Sequence, residues 1–122
     1  MIAALYVFFG GGIGSLARYS ISLFFPTSSS HYGTLVANIC ACFILGILLS
    51  MNSREVLASH HKLLFATGFC GGFSTFSTFS GELILLSQEG AMNQALLYGV
   101  ASIIAGILSI LLGMWVGQLM SR

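Results

Sequence analysis

GFCGGFSTFSTFSGE, residues 68–82, decides how this chain is read. It lies inside an apolar run as long as a membrane helix. Within it, Gly68, Gly71 and Gly72 precede a ladder in which Phe73, Phe76 and Phe79 recur at every third position. Ser74, Thr75, Ser77, Thr78 and Ser80 fill the places beside the rings, and Glu82 closes the stretch. A helix that faced only lipid would carry Leu, Ile and Val here. Glycines and hydroxyls at membrane depth are tolerated where the backbone is buried in protein or lines a cavity. The stretch therefore reads as the wall of an ion or solute pathway.

The surrounding composition sets the solvent. Of 122 residues, 57% are hydrophobic and 6% charged, against about 25% charged in an ordinary soluble domain. At roughly 20 apolar residues per crossing, the length holds about four membrane helices, short loops and no soluble domain. The expectation is one all-α transmembrane domain over residues 1–122. A net charge of +1 leaves no footprint for nucleic acid. The N-terminus lacks a basic leader region, and more spans follow its apolar run, so it reads as a retained helix. Cys40, Cys42 and Cys70 are odd in number and sit in apolar surroundings. Their spacing gives neither a disulfide framework nor a zinc site, and they read as small buried hydrophobes.

Outward from the decisive stretch, the spans are expected at residues 2–25, 33–51, 63–87 and 94–120. The first stops at Pro26 and carries Gly10, Gly11, Gly12 and Gly14, a patch suited to close helix packing. Arg18, late in that helix, suits either snorkelling to the interface or a vestibule that attracts anions. A polar loop, TSSSHY, follows, with His31 read as solvated. In the second span Asn38 reads as interhelical glue, worth about 0.6–2 kcal/mol, and its amide can also donate to an anion. NSREVLASHHK, residues 52–62, reads as a wetted loop, because the adjacent His60 and His61 cannot share a helix face.

In the third span each glycine weakens a helix by about 1 kcal/mol relative to Ala, and Ser and Thr compete for backbone bonds. A break in mid-membrane is expected there, with freed carbonyls of the kind that hold cations in discontinuous helices. Beyond the break, Phe76 and Phe79 can share a face. Glu82 is either an interfacial charge or a buried partner in a polar network. The last span carries Tyr98, Ser102 and Ser109 with Gly99, Gly106, Gly113 and Gly117, and Trp115 fits an interfacial anchor. Four spans put Arg54, Lys62 and Arg122 on one side, with Arg18 towards the other. This places the termini in the cytoplasm on a margin small enough to let chains insert both ways. Four short helices offer little room for a sealed polar path, so an oligomer is expected, and a twofold one is the commonest kind.

GGGIGSLARY (residues 10–19), GTLVANICACFILG (residues 33–46) and the 68–82 stretch together resemble the Fluc/CrcB family of fluoride channels, in the family's order and over its four-span length. The resemblance implies an antiparallel, dual-topology homodimer in the plasma (inner) membrane. Two fluoride pores would lie at its subunit interface and export cytoplasmic fluoride passively. It assigns Phe76 and Phe79 to the pore wall with Asn38, and the neighbouring hydroxyls of Ser77 and Thr78 to the pore. Tyr98 and Ser102 would form a polar track on the fourth helix, and Arg18 would stand in the vestibule. A structural sodium ion at the dimer centre would be held by backbone carbonyls, here those of Gly71 and Ser74. The family often has Thr in place of Ser74, which leaves a carbonyl ligand intact. It often has Gly in place of Cys40 or Ala41, which alters packing near Asn38.

Two other readings compete. A small dual-topology multidrug or cation exporter also has four short spans, but it needs a carboxylate deep in its first helix, and residues 1–25 contain neither Asp nor Glu. A non-transporting helper subunit would use the glycines and rings for packing alone, and leaves the hydroxyl ladder unexplained. No intramembrane nucleophile–base pair suggests an enzyme.

Overall fold

The computed structural model describes residues 2–26, 30–53 and 58–120, and the regular structure among them is helical throughout. Thr27, Arg54, Glu55 and Arg122, which the sequence reading places in loops or counts towards the charge bias, lie outside these residues. The elements are α1 (Ile2–Ser22), α2 (Ser30–Ser53), α3 (Ser59–His61), a π-helical run (Lys62–Cys70), α4 (Gly71–Phe73), α5 (Phe76–Gln88) and α6 (Met92–Met120). The segments α3, π run and α4 follow one another without a gap and form one rod, residues 59–73. Among the described residues, three helices are long and apolar enough to cross a membrane: Ile2–Ser22, Ser30–Met51 and Met92–Met120. The chain is a multi-pass membrane protein.

The helix ends follow local chemistry. After Ser22 the backbone tightens into short-range turns, with Phe24 N–H on the Ile21 carbonyl and Phe25 N–H on that of Ser22, before Pro26 withholds its donor. The first helix thus stops short of the expected residue 25. At the other loop, Gly90 adopts φ +79°. Its N–H binds the Ser87 carbonyl at 3.2 Å, and Ala91 N–H reaches back to Leu86 at 2.9 Å. That double closure is the left-handed glycine stop that ends α5.

Glycines weld the helices in two pairs. A Cβ on Gly10 or Gly14 of α1 would strike the backbone carbonyls of Leu64 or Phe69 in the rod. One on Gly68 would come 2.9 Å from the Val7 carbonyl, and one on Gly72 would strike that of Gly11. Gly46 of α2 meets the backbone of Ile110, while Gly113 and Gly117 of α6 meet Phe43 and Ile47. Residue numbers rise together across both contacts, so α1 runs parallel to the rod and α2 parallel to α6. Close approach of small residues replaces the hydrophobic drive that lipid removes. Gly99 and Gly106 extend the same α6 stripe but face side chains, Leu83 and the Cys42 sulfur, each at 3.5 Å.

The two pairs meet over a small core of Ala37, Ala41 and Phe73, flanked by Ala17, Ile21, Cys40, Ile44 and Phe69. Cys70 is buried, Cys40 and Cys42 half-buried, and all three thiols are free. Most large apolar side chains of α1 and α6 point outward, as lipid-facing helices require.

Two expectations for histidines are corrected. His31 is not in a solvated loop. It sits in the first turn of α2, half-buried, with its ring 5.4 Å from that of Tyr98. His60 and His61 are exposed but helical, and His60 lies 5.6 Å from Tyr6 of α1. In both cases a helix starts earlier than the apolar pattern marks, because polar residues fill its first turn.

Candidate functional site

Two residues, Ser74 and Thr75, interrupt the helical path between α4 and α5, both with extended backbone. Ser74 still belongs to the rod: its N–H binds the Cys70 carbonyl at 3.0 Å and its hydroxyl binds the same oxygen at 2.8 Å. Thr75 departs from it. Its N–H, which would continue the helix onto the Gly71 carbonyl, donates instead to Asn38 Oδ1 at 2.8 Å. Asn38 Nδ2 returns a longer bond, 3.4 Å, to the Thr75 carbonyl. Thr75 Oγ1 then caps α5 by accepting the Thr78 N–H at 3.2 Å, and donates to Thr78 Oγ1 at 2.9 Å. A hydroxyl at this position satisfies one of the orphan donors of a helix start.

This arrangement has a by-product. The donors that a continuous helix would offer to the Gly71 and Ser74 carbonyls, Thr75 N–H and Thr78 N–H, are both spent elsewhere. Gly71 itself is exposed, and an added Cβ there would meet nothing within 4 Å. Gly71 and Ser74 line a pocket of about 180 Å³ with Ala41, Cys42 and Cys70. Gly68 and Gly72 are therefore contact residues, whereas Gly71 leaves open space beside two under-used carbonyls.

The break also splits the phenylalanine ladder. Phe73 is buried in the core. Phe76 and Phe79, 6.0 Å apart between ring centres, face a groove of about 340 Å³ lined also by Asn38, Ser74, Thr75 and Ser102. Phe76 is 80% exposed, so this chain builds only part of the wall that would enclose it. Asn38 uses one amide hydrogen on Thr75 and retains the other.

Behind Phe79 stands a buried polar cluster. The Tyr98 ring meets Phe79 edge to face at 5.3 Å. Its hydroxyl donates to Glu82 Oε2 at 2.7 Å, and the Thr34 hydroxyl donates to Glu82 Oε1 at 2.8 Å. Glu82 is thus a buried member of a network, not an interfacial charge. Ser102 Oγ, one turn along α6 from Tyr98, is buried and makes no hydrogen bond of good geometry.

Arg18 stands apart from this groove. With Ser15, Tyr19, Ser22, Thr34, Thr75 and Thr78 it lines a separate cleft of about 250 Å³. Thr75 borders both cavities and forms the partition between them. Ser77 is exposed beside the cap, 3.4 Å from Thr75 Oγ1.

Among the sequence candidates, the fold brings together Phe76, Phe79, Asn38, Ser74 and Ser102 at the groove, with Tyr98 behind it. Arg18 and Thr78 lie in the second cleft, and Gly71 in the third pocket. Sequence reasoning passed over Thr34, and took Thr75 only as one hydroxyl of the ladder, not as the cap of α5. Thr75 carried a readable signal, a hydroxyl three residues before Thr78 at the start of an apolar run. Thr34 carried none, since its partner Glu82 is 48 residues away. Among the described residues, no group of three or more His, Cys, Asp or Glu side chains gathers as a metal site.

Comparison with known proteins gives the arrangement a family. The model of the family described as CrcB-like protein, Camphor Resistance (CrcB), matches residues 5–114. A protein of Phocaeicola vulgatus is 36% identical over 97% of this chain and 100% of its own length. One of Yersinia pseudotuberculosis is 48% identical over 75% of this chain and 74% of its own. A third, of Serratia proteamaculans, is 40% identical over 92% of this chain and 94% of its own. All three are named fluoride-specific ion channels. With a family match across nearly the whole chain and relatives aligned end to end, the protein belongs to the CrcB family.

Proposed function

We propose that this protein is a fluoride-selective channel, not an enzyme, that lets cytoplasmic fluoride leave passively through paths closed by a second, antiparallel copy in the inner membrane. The observation that carries the reading is the half-built groove. Phe76 and Phe79 stand beside the Asn38 amide and serine and threonine hydroxyls, on a face that this chain leaves uncovered. A polar path open to lipid would be costly, so a partner wall is needed. Relatives named as fluoride channels supply the ion.

The chemistry fits a small, tightly hydrated anion. A dry pore must replace water with donors, and Asn38 Nδ2 and the Ser102 hydroxyl are available to do so. Phenylalanine ring edges carry positive quadrupole potential and attract an anion that the ring faces would repel. Several weak sites in succession let the ion leave as well as enter. Arg18 in its cleft adds positive potential at the approach.

The Gly71 and Ser74 carbonyls, released from their helical donors, suit a sodium ion held between the copies. When bound, such an ion would supply fixed positive charge close to the groove. Ser74 borders both that pocket and the groove. The break from α4 to α5 then belongs to one membrane crossing, interrupted at mid-depth to serve both purposes. Fluoride that entered the cell as the neutral acid and ionised there would leave by this route.

The deciding experiment is efflux from liposomes that contain the purified protein, with a fluoride electrode and chloride as the control. Rapid fluoride loss with no chloride loss is expected. Equal flux of the two ions, or none, would overturn the proposal. Phe76→Ile or Phe79→Ile should reduce fluoride flux at least tenfold in chains that still assemble. Full flux in both variants would mean that the rings only pack.

A further inference from the structure

We propose that the end of the rod nearest the N-terminus of α1 holds one anionic phospholipid per chain, with its phosphate at Lys62 and its acyl chain in an adjoining apolar slot. The slot, about 340 Å³, is lined only by Gly10, Ile13, Ile44, Leu64, Phe65 and Phe69. It shares no residue with the groove, the Arg18 cleft or the Gly71 pocket. A channel formed at those other surfaces therefore leaves it facing lipid.

Three observations select the occupant. The slot offers no hydrogen-bonding side chain, so whatever fills it is a hydrocarbon, and its volume suits about a dozen methylenes at roughly 30 Å³ each, the space of one water. At its end Ser59, His60, His61 and Lys62 follow in sequence, with both histidine rings exposed. They are joined to the slot by Phe65, which stacks 6.3 Å from His61 and also forms part of the slot wall. Tyr6, 5.6 Å from His60, adds the phenol typical of the headgroup level. Lys62 is one of only four basic residues in the chain. A cation and imidazole N–H donors within one helical turn of the residues that wall an apolar slot match a phosphodiester with its chain in that slot. A zwitterionic lipid offers the same tail, but its own ammonium offsets the phosphate.

The inference rests on the chain crossing a membrane, not on the ion it passes, so lipid binding is read separately from flux. Native mass spectrometry of the purified protein with added phosphatidylglycerol, and phosphatidylcholine of the same chain length as control, reads it directly. The wild type should retain phosphatidylglycerol at least fivefold better. The H60Q/H61Q/K62Q triple variant should lose that preference. Ile13→Trp, which fills the slot, should lose the bound lipid while the headgroup cluster stays intact. Gel filtration and fluoride efflux serve as checks that both variants are folded. Equal retention of the two lipids, unchanged binding by either variant, or crosslinking of Ile13 to a second copy across the slot would each overturn the proposal.

Discussion

At the scale of single residues, Asn38 and Glu82 carry more than their sequence positions suggest. Asn38 accepts the Thr75 N–H at 2.8 Å, in place of the carbonyl that a continuous helix would offer. Asn38→Leu leaves that donor unpaired, which should cost about 1–3 kcal/mol. The expected result is a lower melting temperature in detergent together with lost fluoride efflux; an unchanged melt would mean the bond is not needed. Glu82 receives hydroxyl donors from Thr34 and Tyr98. Glu82→Leu strands both and should destabilise by about 1–3 kcal/mol for each. Glu82→Gln should be much milder, because either hydroxyl can donate or accept. The two melts measured side by side test this. Asn38 and Glu82 were both visible as anomalies in apolar surroundings. Their partners were not, because tertiary pairing across 37 and 48 residues leaves no local pattern.

Among the elements, the three apolar spans were legible from length and hydropathy, with ends shifted by a few residues where polar first turns hid them. The stretch from the rod to α5 was harder. Its glycines all looked like helix-weakening residues, yet they divide by face: Gly68 and Gly72 meet α1 backbone and Gly71 meets open space. The π-helical run before the break had no signal in the residue types. Such wide turns arise where a helix adjusts to its surroundings, and here the run spans the segment pressed against α1. A direct contrast follows. Gly14→Ala drives a methyl into the Phe69 carbonyl, whereas Gly12→Ala meets nothing within 4 Å. Gly14→Ala should abolish the folded, monodisperse protein on gel filtration, and Gly12→Ala should leave its yield within about twofold. Equal behaviour of the two would show that α1 and the rod do not touch backbone to backbone.

For the whole molecule, orientation is the open variable. The formal charge is +1, and the few basic residues give the insertion machinery little to sort by. If two antiparallel copies form the channel, both orientations must be made. Ala58→Lys with Ser59→Lys should fix one orientation and end fluoride resistance in cells. Co-expression with a chain locked the other way should restore it, and substituted-cysteine labelling from each side of the membrane reads the orientation directly. Resistance that survives the lysines alone would argue against an antiparallel pair.

The pairing of the helices also bears on how the protein is made. Neither weld joins neighbours in the chain: α1 waits for the rod, and α2 waits for α6. A nascent chain that has delivered only its first hairpin has no partner for Gly10, Gly14 or Gly46. The α1 weld can therefore form only once the rod has emerged, and the α2 weld only once α6 has. Until then the early hairpin has only its lighter contacts, such as Ala17 and Ile21 against Ala37 and Ala41, to hold it; if both orientations are made, that is the interval in which the side is chosen.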